Sequence, residues 1–457
     1  MTGLRVLHVS SEVAPFTKTG GLGEVLGALP AAQRNLGLDA RVFTPLFGFH
    51  DRAALRPLGD PFSIDLGPHR FRARLHQTPD GSVIFADVPS LLDRETPYGD
   101  AGDNPLRFAV FSKLAAQYAR RSADVVHAHD WQAGLTALYL HADDDAPPVV
   151  QTIHNLAYQG TCDLALARSF EIPSSDLTFE GAEFHGRLSF LKAGLTRARL
   201  LTTVSPRYAR EILDEPGGHG LAGLLRHRVK DLHGILNGID TGLWDPRLDP
   251  HLQANFDLDD LGPRERNTDE LRRAFGLRPD TAVVGVVSRA TWQKGLDLLL
   301  AGAETLVTRN LSFVVLCDGD PDLLHPLTML HHRFPDRFAV ITRYDEALAH
   351  RIYGGVDFVL VPSRFEPCGL TQLFAMRYGA IPVVRETGGL ADTVQDGDTG
   401  LTFFDPTPGH LVDALDRAVS LYGRQDELDA MRRRGMAKDS SWAKAALAYE
   451  TLYRRLT

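Results

Sequence analysis

The chain has 457 residues, too many for one ordinary hydrophobic core, so two domains are expected. Hydrophobic residues make up 44% and charged residues 23%, and the net charge of −9 argues against nucleic acid or an anionic membrane surface as the main partner. The three cysteines, Cys162, Cys317 and Cys368, lie far apart without CxxC spacing and suggest neither a zinc site nor a disulfide framework. No targeting segment precedes the first strand and no apolar run approaches bilayer length, so a cytoplasmic protein without a membrane partner is expected.

In chain order, Arg5 to Ser10 reads as a buried strand and is followed by a glycine-rich loop, Lys18 to Glu24. Leu22, Val25, Leu26 and Leu29 then repeat at helical spacing, and Pro30 predicts a kink or a break. The loop has neither the GxxxxGK[ST] spacing of a Walker loop nor the GxGxxG dinucleotide fingerprint. Still, Gly20 and Gly21 ahead of a helix would let backbone approach a phosphate, with Lys18 adding positive charge.

Further strands are predicted at Ala40 to Pro45, Val125 to His127, Val149 to Ile153 and Leu200 to Val204. A β-hairpin is expected from Arg70 to His76 and Ser82 to Val88, turning at Asp80 and Gly81. The polar, proline-bearing stretch from Thr241 to about Pro279 reads as a domain boundary with a linker and a short helix. The second half gives strands at Ala282 to Val287, Ser312 to Leu316, Phe338 to Thr342, Asp357 to Val361 and Ile381 to Val384. Helical patterns separate most of these strands, so the expected class is α/β with two doubly wound Rossmann-like domains.

The most informative stretch is SRFEPCGLTQ, Ser363 to Gln372, which places Glu366 on a strand-to-helix loop. Unpaired N–H groups at such a helix start can bind hydroxyls or an anion, and open α/β sheets bind ligands there. The bland reading of Glu366 is a solvated turn residue. Arg289 and Lys294 follow a buried strand, flank a helix start at Gly295 and can point at one phosphate. His127, His129 and Asp130 imitate metal-ligand spacing, and Asp318, Gly319 and Asp320 imitate a DxD motif. Strand-end histidines are more often packed than metallated, so no metal is expected.

Taken together, KTGGLGE at Lys18, HAHDWQAGL at His127, TIHNLAYQG at Thr152, HGILNGID at His233, VSRATWQKGLD at Val287, SRFEPCGLTQ and RETGGLADTV at Arg385 resemble the bacterial glycogen synthase and plant starch synthase family over essentially the whole chain. The resemblance implies a glycosyltransferase B fold with its active site in the interdomain cleft. It places an acceptor-side domain at residues 1–240, a nucleotide-sugar domain at 241–440 and a last helix, 441–457, crossing back to the first domain. Ala446, Tyr449, Leu452 and Tyr453 share one face of that helix.

The implied activity is transfer of glucose from ADP-glucose to the 4-hydroxyl at the non-reducing end of an α-1,4-glucan, with retention and without a cofactor. Catalytic roles fall on Glu366, Arg289, Lys294 and His154. Donor-binding roles fall on Lys18, Gly20, Gly21, Asn237, Cys368, Gly369, Leu370, Thr387, Gly388 and Gly389. On the acceptor side stand Glu12, Asp130 and Asn155, with Tyr98 stacking on the glucan. Many relatives read KTGGLAD where this chain has Gly23 and Glu24, and a histidine is common where Gln132 stands. UDP-glucose therefore remains the alternative donor.

Overall fold

The computed structural model describes residues 3–99, 102–141, 143 and 145–457. It divides into two compact units: the chain up to Asn237 together with Trp442–Thr457, and Gly238–Ser441.

In the first unit the strands Arg5–Val9, Asp39–Pro45, Val83–Asp87, Val125–His129, Val149–Ile153, Leu200–Thr203 and Leu232–Gly234 are all parallel. Numbered in chain order, these seven lie side by side as 3-2-1-4-5-6-7. The predicted hairpin is present and forms one edge, where His69–Gln77 pairs antiparallel with Val83–Asp87. Two strands absent from the sequence reading, Arg56–Pro57 and Phe62–Leu66, extend that edge. Thr161–Asp163, Glu183–Phe184 and Arg187–Ser189 form a separate small sheet that the sequence reading missed.

Both faces of the large sheet are covered, which is why its strands read as continuous apolar runs. On one face lies the helix Gly21–Asn35, which runs unbroken through Pro30. Beside it packs the last helix, Ala443–Arg454, burying Ala445, Ala446, Tyr449, Leu452 and Tyr453.

The second unit contains one six-stranded parallel sheet built from Ala282–Ala290, Leu311–Gly319, Phe338–Ile341, Phe358–Val361, Ile381–Arg385 and Leu401–Phe403. In chain order these too lie as 3-2-1-4-5-6, the doubly wound order. Leu401–Phe403, only three residues long, is the strand the sequence reading missed.

The stretch after Thr241 is not a linker. Its aspartates fold it into successive turns: Asp240 accepts from Gly242 N, Asp245 from Arg247 N, Asp249 from His251 N and Asp257 from Asp259 N. Composition alone makes such a run look like a tether. Trp244 anchors it, with its ring 3.9 Å from those of His350 and Phe374. Asp249 ties it down further through His350 Nδ1 at 2.6 Å and Tyr378 OH at 2.5 Å. The helix Arg264–Phe275 then leads into the first strand of the unit.

Trp244 is buried between two rings, so Trp244→Ala is expected to cost about 3–5 kcal/mol. The urea midpoint should fall accordingly and limited proteolysis should begin between residues 241 and 263. A variant with an unchanged midpoint and no new cleavage would show that the stretch adds nothing to the second core.

Candidate active site

In an open parallel sheet, ligands meet the carboxyl ends of the strands where the winding reverses. In the second unit that point lies between Ala282–Ala290 and Phe358–Val361. Arg289 is exposed on the first of these strands, within its last two residues and not beyond it as the sequence predicted. A single 3₁₀ turn, Trp292–Lys294, precedes the helix Leu296–Leu306.

The second strand leads into the Glu366 loop. Glu366 is only 6% exposed, which rules out the solvated-turn reading. Lys294 Nζ lies 2.6 Å from its Oε2, and Ser363 Oγ donates to the same oxygen at 2.8 Å. Sequence reasoning missed both contacts, because neither partner stands out by type or spacing.

The neighbouring turn clamps this loop. Gly389 N donates to Glu366 O at 3.0 Å, and any side chain at Gly389 would run into the Cys368 backbone. Arg385 donates to the carbonyls of Ser363 and Arg364. Gln372 holds the carbonyls of Cys368 and Gly369. The backbone of Cys368, Gly369 and Leu370 thus lies just ahead of the helix Thr371–Arg377, and Thr387 immediately precedes the helix Gly388–Thr393. Cys368 is 5% exposed, so its thiol is buried. The DxD-like segment is a strand end and a helix cap: Asp320 accepts from Asp322 N at 2.9 Å.

The first unit repeats the geometry, with its reversal between Arg5–Val9 and Val125–His129. After the first of these strands, Glu12 accepts from the Thr19 backbone and hydroxyl, each at 2.7 Å. Tyr98 OH donates to Glu12 at 2.6 Å and the ring lies 6.2 Å from Phe108. Tyr98 thus braces Glu12 through its hydroxyl, while its ring is only partly buried.

Lys18 pairs with Glu24 at 2.7 Å, and Gly20 precedes the helix that begins at Gly21 with no side-chain cap. Gly23 is the departure from the usual pattern that shapes this loop, since a Cβ there would sit 2.9 Å from Thr17 O.

After the second strand, Asp130 has φ 55 and ψ −168, a region that side chains rarely occupy. Its carboxylate accepts from His154 N at 2.7 Å and Asn155 N at 3.4 Å. Burial pushes this carboxyl up to about 7, against the pull of those N–H groups, and Glu12 adds to the rise. Asn237, at the end of the unit, is buried with Oδ1 lacking a partner. Gln132 is buried as well, and its Oε1 is likewise unpartnered.

Beneath Asp130 lies a cluster of imidazoles. His8 and His127 face each other in register on adjacent strands, and nitrogens of His8, His127 and His129 lie within 4.8 Å of one another. Every ring nitrogen of the three already has a partner. His8 meets Gln33 and His129, His127 meets Tyr453 and Thr152, and His129 meets His8 and His154. Burial lowers His8 to about 4, His154 to about 3, and His127 and His129 well below the ordinary range, so all four are neutral at pH 7. His8 and Gln33 escaped the sequence reading, and Tyr453 was read there only as part of a packing face. Only the period-two placement of His8 on its strand could have signalled one of them.

Residues 5–227 match the starch synthase catalytic domain family and residues 267–435 the group 1 glycosyl transferases. A glycogen synthase of Granulibacter bethesdensis is 43% identical, with 99% of each chain covered, and one of Anaeromyxobacter sp. strain Fw109-5 is 44% identical, again with 99% of each covered. The catalytic domain of starch synthase IV from Arabidopsis thaliana, solved bound to ADP and acarbose, superposes with a TM-score of 0.93 at 32% identity over 99% of both chains. Two doubly wound units, each with charged side chains at its strand reversal, fit these relatives end to end, and the chain belongs to the glycogen and starch synthase family of glycosyltransferases.

Proposed function

We propose that the chain transfers glucose from ADP-glucose to the terminal 4-hydroxyl of an α-1,4-glucan, with the second unit holding the donor and the first the acceptor. The observation that carries this reading is the part-buried Lys294–Glu366 pair at the strand reversal, 2.6 Å apart. A cation and a carboxylate side by side suit a ligand that is phosphate at one end and polyhydroxyl at the other.

Cleavage of the bond between the anomeric carbon and the diphosphate oxygen leaves negative charge on the nucleotide, and the sugar becomes oxocarbenium-like. Lys294 and Arg289 neutralise the departing diphosphate, and backbone N–H groups of the Thr387, Gly388 and Gly389 turn add to them. Lys18 and the Gly20, Gly21 helix start serve the same charge. Glu366 accepts from a glucose hydroxyl, and the N–H groups of Cys368, Gly369 and Leu370 donate to others. His154 and Asn237 hold the opposite edge of the ring.

Glu12, Asp130 and Asn155 belong to the acceptor. Neither Glu366 nor Asp130 serves as a nucleophile in this reading. The first is tied to Lys294 and Ser363, and the second is engaged by two backbone N–H groups and partly neutral at pH 7. The acceptor hydroxyl attacks on the face the diphosphate leaves, and the departing phosphate takes its proton, which gives retention.

The test is elongation of glycogen with ADP-glucose or UDP-glucose in EDTA, reading released nucleotide. Turnover with ADP-glucose and little with UDP-glucose is expected. A preference for UDP-glucose, or activity that returns only with a divalent metal, would overturn the donor or the clamp.

Loss of the Lys294 cation should appear in the chemical step. Lys294→Ala should lower kcat about 10²- to 10³-fold, roughly 3–4 kcal/mol, with a small change in donor KM. Removing the buried partner also isolates Glu366, so thermal stability should fall and should recover in Lys294→Ala/Glu366→Gln without recovery of turnover. A rise in KM alone would move the phosphate site to Lys18 and its glycine turn.

Asp130 provides a pH-dependent check. Its folded-state value lies above the ordinary 3.8, so the native state loses stability as pH rises from 3.8 through about 7. Asp130→Asn should therefore unfold at a higher temperature than the parent at pH 8, and the gain should vanish by pH 4. Equal melting temperatures at both pH values would show that the carboxyl carries no such burden.

A further inference from the structure

Four side chains at the reversal of the first sheet form a single line of hydrogen bonds. Gln33 Oε1 lies 2.7 Å from His8 Nε2, His8 Nδ1 lies 3.0 Å from His129 Nε2, and His129 Nδ1 lies 2.9 Å from His154 Nε2. Gln33 itself is oriented by its amide nitrogen, which donates to Tyr453 OH on the last helix at 3.1 Å.

A neutral imidazole carries one N–H and one bare nitrogen, so the direction of the first bond dictates that of every later bond in the line. An amide oxygen can only accept, which puts the proton of His8 on Nε2 and leaves Nδ1 bare. His129 must then donate through Nε2, and its bare Nδ1 must receive a proton from His154 Nε2. Burial keeps all three rings uncharged at neutral pH, so none can supply a second N–H and break the sequence.

We infer that Gln33, acting through His8 and His129 and held by Tyr453, fixes His154 as the Nε2–H tautomer, so that His154 presents a bare Nδ1 and recognises the donor sugar by accepting a hydrogen bond from one of its hydroxyls. The role of His154 at the sugar rests on the function proposed above; the tautomer does not. Within the relay a ligand oxygen without a proton, such as a ring or phosphate oxygen, is rejected at this position, and a hydroxyl is required. Gln33, His8, His129 and Tyr453 are positioning residues, since they act on the ligand only through His154. His154 is half-buried, so its outer edge can reach a ligand while its inner edge stays in the relay.

Histidine-selective ¹⁵N labelling reads the tautomer directly in the full chain without ligand, with the His154 signals assigned by their loss in His154→Gln. The expected result is a pyrrole-type Nε2 and a pyridine-type Nδ1. A protonated Nδ1 would mean that Gln33 has its amide turned over and the relay runs backwards, which overturns the inference. In Tyr453→Phe, which keeps the ring but releases the Gln33 amide, the His154 signals should move toward a mixture of tautomers, and kcat/KM for the donor should fall about tenfold, the worth of one well-placed hydrogen bond. An unchanged His154 spectrum in that variant would also overturn the inference.

The sugar contact is tested separately with deoxy and deoxyfluoro donors. The relevant position is the one where deoxygenation penalises the parent but not His154→Ala. Fluorine there should be no better than hydrogen, because it cannot donate; a fluoro donor that performs like the hydroxyl would mean that His154 donates. If the tautomer is as expected but no position shows the pattern, the relay stands and the placement of His154 on the sugar falls.

Discussion

Strand direction is the constraint on which everything else in this protein depends. All seven core strands of the first sheet and all six of the second run parallel within their sheets, so in each unit every carboxyl end emerges on one edge. The 3-2-1-4 order then separates the connections of the first and fourth strands, and a crevice opens between them. Arg289 and Glu366 come from one such pair of strands, and Glu12 and Asp130 from the other. The chemistry is thus collected by topology before any side chain is chosen, and the apolar runs behind it supply rigidity.

That placement has costs the surroundings must offset. Asp130 sits at a positive φ that costs on the order of 1–3 kcal/mol for a residue with a side chain, and its carboxyl is buried. The N–H groups of His154 and Asn155 compensate by turning toward it, so the strained residue also fixes where the next strand releases the chain. Glu366 is buried with Lys294 and Ser363 as partners, an arrangement that a hydrophobic pair could match for stability. In both units the expensive groups lie at strand ends, where loops can adjust without disturbing the sheet.

Much of this architecture is legible in the sequence, because buried parallel strands announce themselves as β-branched runs and glycine-rich turns mark the loops at their carboxyl ends. The twelve predicted strands and both loop systems were readable for that reason. The elements that escaped are short or largely exposed: Arg56–Pro57 and Phe62–Leu66 at an edge, the small sheet around Cys162, and the three-residue strands Leu232–Gly234 and Leu401–Phe403. The stretch from Thr241 to Pro279 misled for a different reason. A run of aspartates and prolines has the composition of a tether, and only the ring contacts of Trp244 and the bonds to Asp249 reveal that it is built into the second unit. Among the site residues, motif position located the loops, but the Lys294–Glu366 and Tyr98–Glu12 pairs bridge 72 and 86 residues, and no local pattern predicts such meetings.

The histidines show how partners, more than residue types, decide what a cluster does. Three imidazoles within 4.8 Å would be a metal site if their nitrogens were bare and one edge were open. Here each nitrogen is satisfied by protein, all three rings are fully buried, and a cation would have to displace bonds to Gln33, Thr152, Tyr453 and His154 before it could bind. The last of those partners to be synthesised is Tyr453, on a helix whose apolar face would justify its packing by burial alone. Its hydroxyl adds something burial does not. By bonding His127 at 2.7 Å and receiving the Gln33 amide at 3.1 Å, it closes two branches of the network from outside the strands that carry them. The final helix therefore contributes to the first unit as a covering for the sheet and as a fixed hydrogen-bonding group beneath the site, and a replacement helix of equal hydrophobicity could supply only the first.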